Sequence, residues 1–395
     1  MTQAAASSLR PGSRVGRYQI DRVLGAGASG SVYVAECVRD HDVNADVTSP
    51  HARSTPPAPM NGQRVALKVL HQHLVKNFQI SKRFEREARI LGRLGDRHLV
   101  PLLDFGEEDG QLFMALELVD GTALDVFMQG KGVTLADAVR ILTEVCYALE
   151  AAHGAGVVHR DLKPGNVILE GATANDADLS GVCVRVLDFG MAKLIHGSSS
   201  VSMTALTEQN MVFGTPEYMA PEQARGDDVD ARSDIYSAGV LLYELLSGRL
   251  PFFGNTPIGI MTAHLTEEPL PPSSQAPHRS IPPALESVVL HAMAKQPDRR
   301  YPSARHLREA LCAAMANPAD TLSIAPPGPD DPALSDTQHD MNLPAGLSRT
   351  EVDVAAVTLD MQPAQAGGSK LWLLIAIVAA LLGIAAGVAV SLGTR

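Results

Sequence analysis

Between positions 159 and 169 the chain reads HRDLKPGNVIL. An imidazole, a guanidinium, a carboxylate, an ammonium and an amide (His159, Arg160, Asp161, Lys163, Asn166) lie close together there, bracketed by apolar residues. A second carboxylate, Asp188, sits in VLDFG. Asp161, Asn166 and Asp188 offer two carboxylates and one amide oxygen, hard donors of the kind magnesium prefers while water and substrate phosphate complete its shell. Lys163 adds a cation beside them. A base, metal ligands and a cation near a triphosphate suit phosphoryl transfer, in which a protein mainly positions groups and neutralises charge.

Two upstream features fit the same chemistry. GAGASGSV holds Gly25, Gly27 and Gly30, whose backbone can approach phosphate oxygens without a Cβ in the way. A dinucleotide-binding turn shares this spacing but needs a helix directly after the third glycine and an acid about twenty residues on. Here Ser31-Val32-Tyr33-Val34 follows, a strand sequence, so the glycines form a flap between two strands. Lys68 stands inside the β-branched run RVALKVL, where its stem is buried and its ammonium has a fixed aim. The rival reading is a solvated lysine guarding a sheet edge. Glu87, in the helix that follows, supplies the complementary charge, and a Lys68–Glu87 pair is expected.

The elements that must position these groups are legible from pattern. SVYVAE (31–36) and RVALKVL (64–70) read as strands. RFEREARILGRL (83–94) has apolar residues at helical spacing. TLADAVRILTEVCYALEAAHGAG (134–156) opens on a Thr134-to-Asp137 capping box and closes on glycines. SDIYSAGVLLYELLSG (233–248) is apolar on nearly every face, as a helix buried in mid-domain would be. Strands dominate to about residue 119 and helices from there to about 316, with a seam near ELVDG (117–121). Polar, proline-rich residues 40–61 read as an insertion between strands, and 171–181 as a shorter loop.

Taken together, GAGASGSV, VALK, HRDLKPGN, DFG and GTPEYMAPE resemble, in order and spacing, the eukaryotic-type (Hanks) serine/threonine protein kinases, above all the bacterial membrane-anchored type. The likeness runs over roughly residues 17–316. It implies an α+β, bilobal protein-kinase fold: a small antiparallel β-sheet lobe with one helix (17–119) and a larger, mainly helical lobe (120–316). It also implies ATP as donor, Mg2+ or Mn2+ as metal, and protein hydroxyls as acceptors. ATP would be held by Leu24, Gly25, Gly27, Gly30, Val32, Ala66, Lys68 and the backbone of Glu117 and Val119, with Leu116 as gatekeeper. Lys68 would contact the α- and β-phosphates and pair with Glu87. Asp161 would accept the substrate proton, Lys163 would stabilise the moving phosphoryl group, and Asn166 and Asp188 would hold the metal.

The resemblance assigns other residues to architecture and control. His159 packs beside Phe189 without moving protons, Glu222 pairs with Arg300, and Asp234 braces the 159–166 loop. Thr215 contacts the region of the base, and with Lys163 it favours serine and threonine over tyrosine. Arg160 implies activation by phosphorylation in the 191–213 segment, with Thr207 the favoured hydroxyl and autophosphorylation in trans the expected route. A small-molecule phosphotransferase would lack GTPEY and APE. An inactive membrane scaffold would have lost Lys68, Asp161 or Asp188, and all three are present.

Composition sets further bounds. A net charge of -11 argues against nucleic acid as a partner. Cys37, Cys146, Cys183 and Cys312 show no paired spacing and read as free thiols of a reducing compartment. His71 and His73 read as an exposed loop, not a metal pair. The first 16 residues lack the apolar core of a signal peptide. Residues 317–369 hold seven prolines, eight acids and one arginine, which predicts a disordered linker over 317–370. The uncharged run at 371–392, 22 residues long, is sufficient to span a membrane of ~30 Å hydrocarbon thickness. The expectation is a single-pass inner-membrane protein with its kinase lobes in the cytoplasm and only residues 393–395 beyond the span. Gly383 and Gly387 offer a weak signal for a homodimer.

Overall fold

A computed structural model describes residues 9–27, 30–38, 59–71, 78–130, 133–174, 176, 179–189 and 215–316. The chain divides into two units, Met1–Ile324 and Ala325–Arg395, and every described residue belongs to the first. Residues 40–58, Thr207, the linker, the 371–392 run and the Gly383–Gly387 pair lie outside the described residues, as does His73. Among the described residues no helix is long and apolar enough to cross a membrane.

The N-terminal lobe is a six-stranded antiparallel sheet. Its strands are β1 (Arg14–Val15), β2 (Tyr18–Gly27), β3 (Gly30–Cys37), β4 (Arg64–Leu70), β5 (Leu102–Glu108) and β6 (Gln111–Glu117), in the order β1-β2-β3-β4-β6-β5. Side-chain alternation explains why both faces of β4 are buried. Val65, Leu67 and Val69 face one way, into a cluster with Tyr18, Ile20, Tyr33, Ala35, Phe113 and Ala115. Leu70 faces the other way, with Leu112 and Met114, against Phe84 and Ala88 of helix α1 (Phe78–Leu91). Lys68 shares this second face, so the period of two that buries its neighbours also sets its aim. The register pairs Val32 with Lys68, Lys68 with Met114, and Ala66 with Leu116. Val32, Ala66, Lys68 and Leu116 therefore lie on one face of the sheet.

The chain crosses to the second lobe after Glu117. Strand β7 (Gly121–Ala123) pairs with β8 (Val167–Glu170), which pairs with β9 (Cys183–Val186), all antiparallel. This small sheet was not anticipated from sequence. Its connecting loop, expected to be merely polar, buries Ala172 and Leu179, and Thr122 Oγ1 donates to the Ala172 carbonyl at 2.8 Å.

The rest of the lobe is helical: α2 (Leu124–Gln129), α3 (Leu135–Gly154), α4 (Pro221–Arg225), α5 (Ala231–Ser247), α6 (Pro257–Thr266), α7 (Pro272–Gln275), α8 (Pro283–Ala292) and α9 (Ala304–Ala316). Helix α3 begins where its cap predicts: Thr134 Oγ1 accepts from the Asp137 amide at 3.1 Å, satisfying one of the unpaired donors of the first turn. Asp230 caps α5 by accepting from the Arg232 amide, and Gly248 ends that helix with φ +73°. Between those caps α5 is buried almost throughout, including the polar residues Ser233, Asp234 and Ser237. A polar group so placed must find partners, and its partners turn out to be the functional loops.

Candidate active site

The cleft is closed from above by β2, β3 and β4. Gly25 and Gly27 are exposed, and a Cβ at either would meet nothing within 4 Å. Gly30 differs: a Cβ there would fall 2.1 Å from the Val69 carbonyl oxygen, so glycine is required for β3 to pack on β4. His71 Nε2 lies 3.0 Å from the Gly27 carbonyl and donates to it, tying the end of β4 to the flap instead of standing free in a loop. Leu24 is 44% exposed at the flap, whereas Val32 and Ala66 are half-buried beneath it.

Lys68 is buried, and its Nζ lies 2.6 Å from Asp188 Oδ2. This corrects the sequence expectation of a Lys68–Glu87 pair. Strand β4 aims the ammonium across the cleft, where the backbone of Asp188, at φ +60°, presents its carboxylate to it. Glu87, buried on α1, instead lies within electrostatic range of Arg160. Burial alone would raise the pKa of Asp188, but the Lys68 ammonium outweighs it and holds the carboxyl below the usual range.

The 159–166 loop forms the floor. Lys163 Nζ donates to Asp161 Oδ2 at 2.9 Å and to Thr215 Oγ1 at 2.8 Å, so a single ammonium joins three of the residues singled out from sequence. Asn166 Nδ2 donates to the Asp161 carbonyl at 2.7 Å and reaches Asp161 Oδ2 at 3.3 Å. With its amide nitrogen so engaged, Asn166 keeps its Oδ1 as an acceptor. The Leu187 amide donates to the Asn166 carbonyl at 2.8 Å, which brings the Asp188 turn against the loop.

What holds this loop is Asp234 of α5. Its Oδ2 accepts from the His159 amide and from His153 Nε2, both at 2.7 Å, and its Oδ1 accepts from the Arg160 amide at 2.8 Å. Burial would raise the Asp234 pKa; the His153 hydrogen bond and nearby imidazoles reverse that and leave it lowered. Arg160 has φ +68°, a left-handed conformation that costs a non-glycine residue about 1–2 kcal/mol. The three donors converging on Asp234 supply what keeps it there. Gln223 Nε2 adds a bond to the Arg160 carbonyl at 2.8 Å.

His159 is structural, as expected. It is fully buried, its Nδ1 accepts from the Asp161 amide at 3.2 Å, and its Nε2 faces the Leu187 carbonyl at 2.8 Å. A carbonyl can only accept, so the proton sits on Nε2. The ring meets Phe189 edge-on at 4.5 Å. His153 and Gln223 were missed from sequence. A histidine in the last turn of a helix has an ordinary reading as a partner of the helix dipole, and nothing in its spacing pointed to Asp234.

At the seam, Leu116 is half-buried opposite Ala66, the Glu117 amide donates to the Pro101 carbonyl at 3.0 Å, and Val119 is half-buried. The Glu117 side chain accepts from Arg185 of β9 at 2.6 Å, and Arg185 also reaches Glu170 at 3.2 Å. Glu222 and Arg300 form a two-pronged buried pair at 2.7 and 2.8 Å. Arg300 donates further to the Ala294, Lys295 and Arg232 carbonyls and stacks 4.9 Å over Tyr236. Burial would raise the Glu222 pKa; Arg300 draws it below the usual range.

Comparison with known proteins agrees with this geometry. Residues 58–311 match the protein kinase domain family. The chain is 40% identical over 297 residues to serine/threonine-protein kinase pkn3 of Myxococcus xanthus, covering 75% of this chain and 49% of that protein. It is 36% identical over 300 residues to serine/threonine-protein kinase PknB of Mycobacterium leprae, covering 75% and 42%. The chain thus spans less than half the length of either. The kinase domain of Mycobacterium tuberculosis PknI has a similar solved structure, with a TM-score of 0.54 and 26% identity over 78% of this chain and 99% of that one.

Proposed function

The chain belongs to the protein kinase family, and on that premise we propose that it transfers the γ-phosphate of ATP to serine and threonine hydroxyls of proteins. The observation that carries this reading is the contact of Lys68 with Asp188 at 2.6 Å, joining the sheet lobe to the floor where Asp161, Lys163 and Thr215 form one hydrogen-bonded row. Lys68 binds and orients the phosphates from above. Asp161 accepts the proton of the acceptor hydroxyl, and the shared ammonium of Lys163 keeps that carboxylate aimed at the hydroxyl. The flap, Val32, Ala66 and Leu116 exclude water from the nucleotide.

Magnesium fits this site. The Asp188 carboxylate is held ionised by its cationic neighbours, and Asn166 has an amide oxygen to offer once its nitrogen is engaged, so both are hard donors. When bound, the ion neutralises charge on the phosphate oxygens. Asp188 and Asn166 would hold it.

Further parts of the reading rest on sequence and on one buried donor. Arg160 Nε has no hydrogen-bond partner among the described residues, and burial lowers the pKa of this guanidinium. A phosphate on Thr207 would supply an acceptor of strong negative charge. Autophosphorylation there, and tethering to the inner membrane by residues 371–392, complete the proposal. The test is incorporation of labelled phosphate from ATP and magnesium by the purified chain, with Asp161→Asn as control. Transfer to serine or threonine lost in the variant is expected; no transfer by the unaltered chain removes the reading. A Thr207→Ala chain with an unchanged phosphopeptide map removes the assignment of that site alone.

A further inference from the structure

A second buried polar cluster lies on the far side of Thr215. Its centre is His264 of α6, which is fully buried. Both ring nitrogens are engaged: Tyr236 Oη stands 2.8 Å from Nδ1, and the Glu217 carbonyl oxygen 3.0 Å from Nε2. The carbonyl can only accept, so Nε2 carries the proton and Nδ1 accepts from the tyrosine hydroxyl. Burial, helped by the Lys295 ammonium, pushes the imidazole pKa down to about 4, so this neutral tautomer persists through neutral pH.

The ring is also fixed in orientation. Tyr236 and Phe252 meet it edge-on at 5.6 and 4.8 Å. Lys295 Nζ donates to the His264 carbonyl at 3.0 Å and sits 4.3 Å over the Phe252 ring. What the imidazole grips is a single turn of 3-10 helix, Pro216–Tyr218, whose preceding residue is Thr215. The other end of that turn is held from α5, where Ser237 Oγ donates to the Tyr218 carbonyl at 2.8 Å and Glu244 accepts from Tyr218 Oη. His264 is therefore the link from α6 to a segment that α5 already holds, and that segment ends on the threonine bonded to Lys163.

We infer that His264 is a positioning residue for the protein acceptor: by gripping the Glu217 carbonyl it sets the Thr215–Tyr218 segment, and through it the place of the acceptor hydroxyl relative to Asp161. This rests on the protein-kinase reading above. It concerns the acceptor and not the nucleotide, because the carbonyl that His264 grips belongs to the segment leading to Thr215, while the flap over the nucleotide is built from another lobe.

The test compares His264→Phe, which keeps a ring but no hydrogen bond, with His264→Gln, whose amide can still donate to the Glu217 carbonyl. With a peptide carrying a free serine or threonine hydroxyl as the acceptor, the phenylalanine variant is expected to raise the peptide KM about tenfold while the ATP KM stays within about twofold, and glutamine to restore the peptide KM to within about threefold. Hydrogen exchange at the Tyr218 and Met219 amides, whose acceptors are the Thr215 and Pro216 carbonyls, is expected to quicken in the phenylalanine variant. An unchanged peptide KM, equal rises in both KM values, or unchanged exchange overturns the inference. Should His264→Phe not fold, Tyr236→Phe carries the same test with an expected rise of about threefold, and an unchanged peptide KM is again decisive. If the unaltered chain transfers no phosphate to any peptide, the kinase reading falls, and exchange at those two amides alone decides whether His264 holds the segment.

Discussion

Replacing Asp234 by asparagine tests the bracing of the loop by a change of one atom. The carboxylate takes the Arg160 amide on one oxygen and the His159 amide and His153 on the other. Asparagine has a single oxygen. If that oxygen serves His159 and His153, its NH2 group faces the Arg160 N–H, donor against donor. Leaving one buried donor unsatisfied and removing the charge from the other two bonds costs about 3 kcal/mol. At about 2–4 °C per kcal/mol for a domain of this class, the melting temperature should fall by about 6–12 °C. Activity should fall further. Freed from Asp234, Arg160 relaxes out of its left-handed conformation and carries the neighbouring Asp161 with it, and a displacement of about 1 Å costs roughly a hundredfold in rate. Affinity for ATP should hold.

The pH dependence supplies an independent check. Asp234 has a folded pKa below its unfolded one, so its contribution is complete above the unfolded value, roughly pH 4, and is lost as pH falls through the lowered folded value. The gap in melting temperature between the native chain and Asp234→Asn should therefore narrow in acid. Native-like kcat and stability in the variant, or a gap that stays constant down to pH 3, would refute the reasoning.

Three other outcomes are expected. Arg300→Met strands the Glu222 carboxylate in the interior and should cost about 3–5 kcal/mol by denaturant unfolding, part of it recovered in the double variant with Glu222→Gln. Lys68→Met removes the partner of Asp188 and should lower phosphate transfer by at least about a hundredfold with little change in fold, measured by initial rates. Gly30→Ala forces a Cβ toward the Val69 carbonyl and should destabilise the sheet lobe by about 1–3 kcal/mol, read from its melting curve.

Much of this site is legible in the chain because its chemistry is local. HRDLKPGN carries base, cation and amide within a single loop, so Lys163 reaches Asp161 and Asn166 reaches its carbonyl with no long-range information. The face carrying Val32, Ala66, Lys68 and Leu116 follows from strand alternation alone. Partner choice across the cleft does not. Lys68 had two acids to choose from, and its selection of Asp188 depends on a positive φ that no sequence pattern announces. His153, His264 and Gln223 stayed hidden for a related reason: each acts through a backbone group or a buried carboxylate far away in the chain. The β7–β9 sheet was missed because its strands are only three or four residues long and flank a polar loop.

The bridge from Glu117 through Arg185 to Glu170 has a mechanical consequence. Arg185 lies three residues before Asp188 on the same run of chain, so an ion pair ties the seam residue Glu117 to the strand that leads to the carboxylate facing Lys68. Where the chain passes from one sheet to the other, Leu118 and Val119 take part in neither strand pairing nor a backbone hydrogen bond among the described residues. The Glu117–Arg185 pair thus closes a side-chain bridge across that stretch, from the last strand of one sheet to a strand of the other.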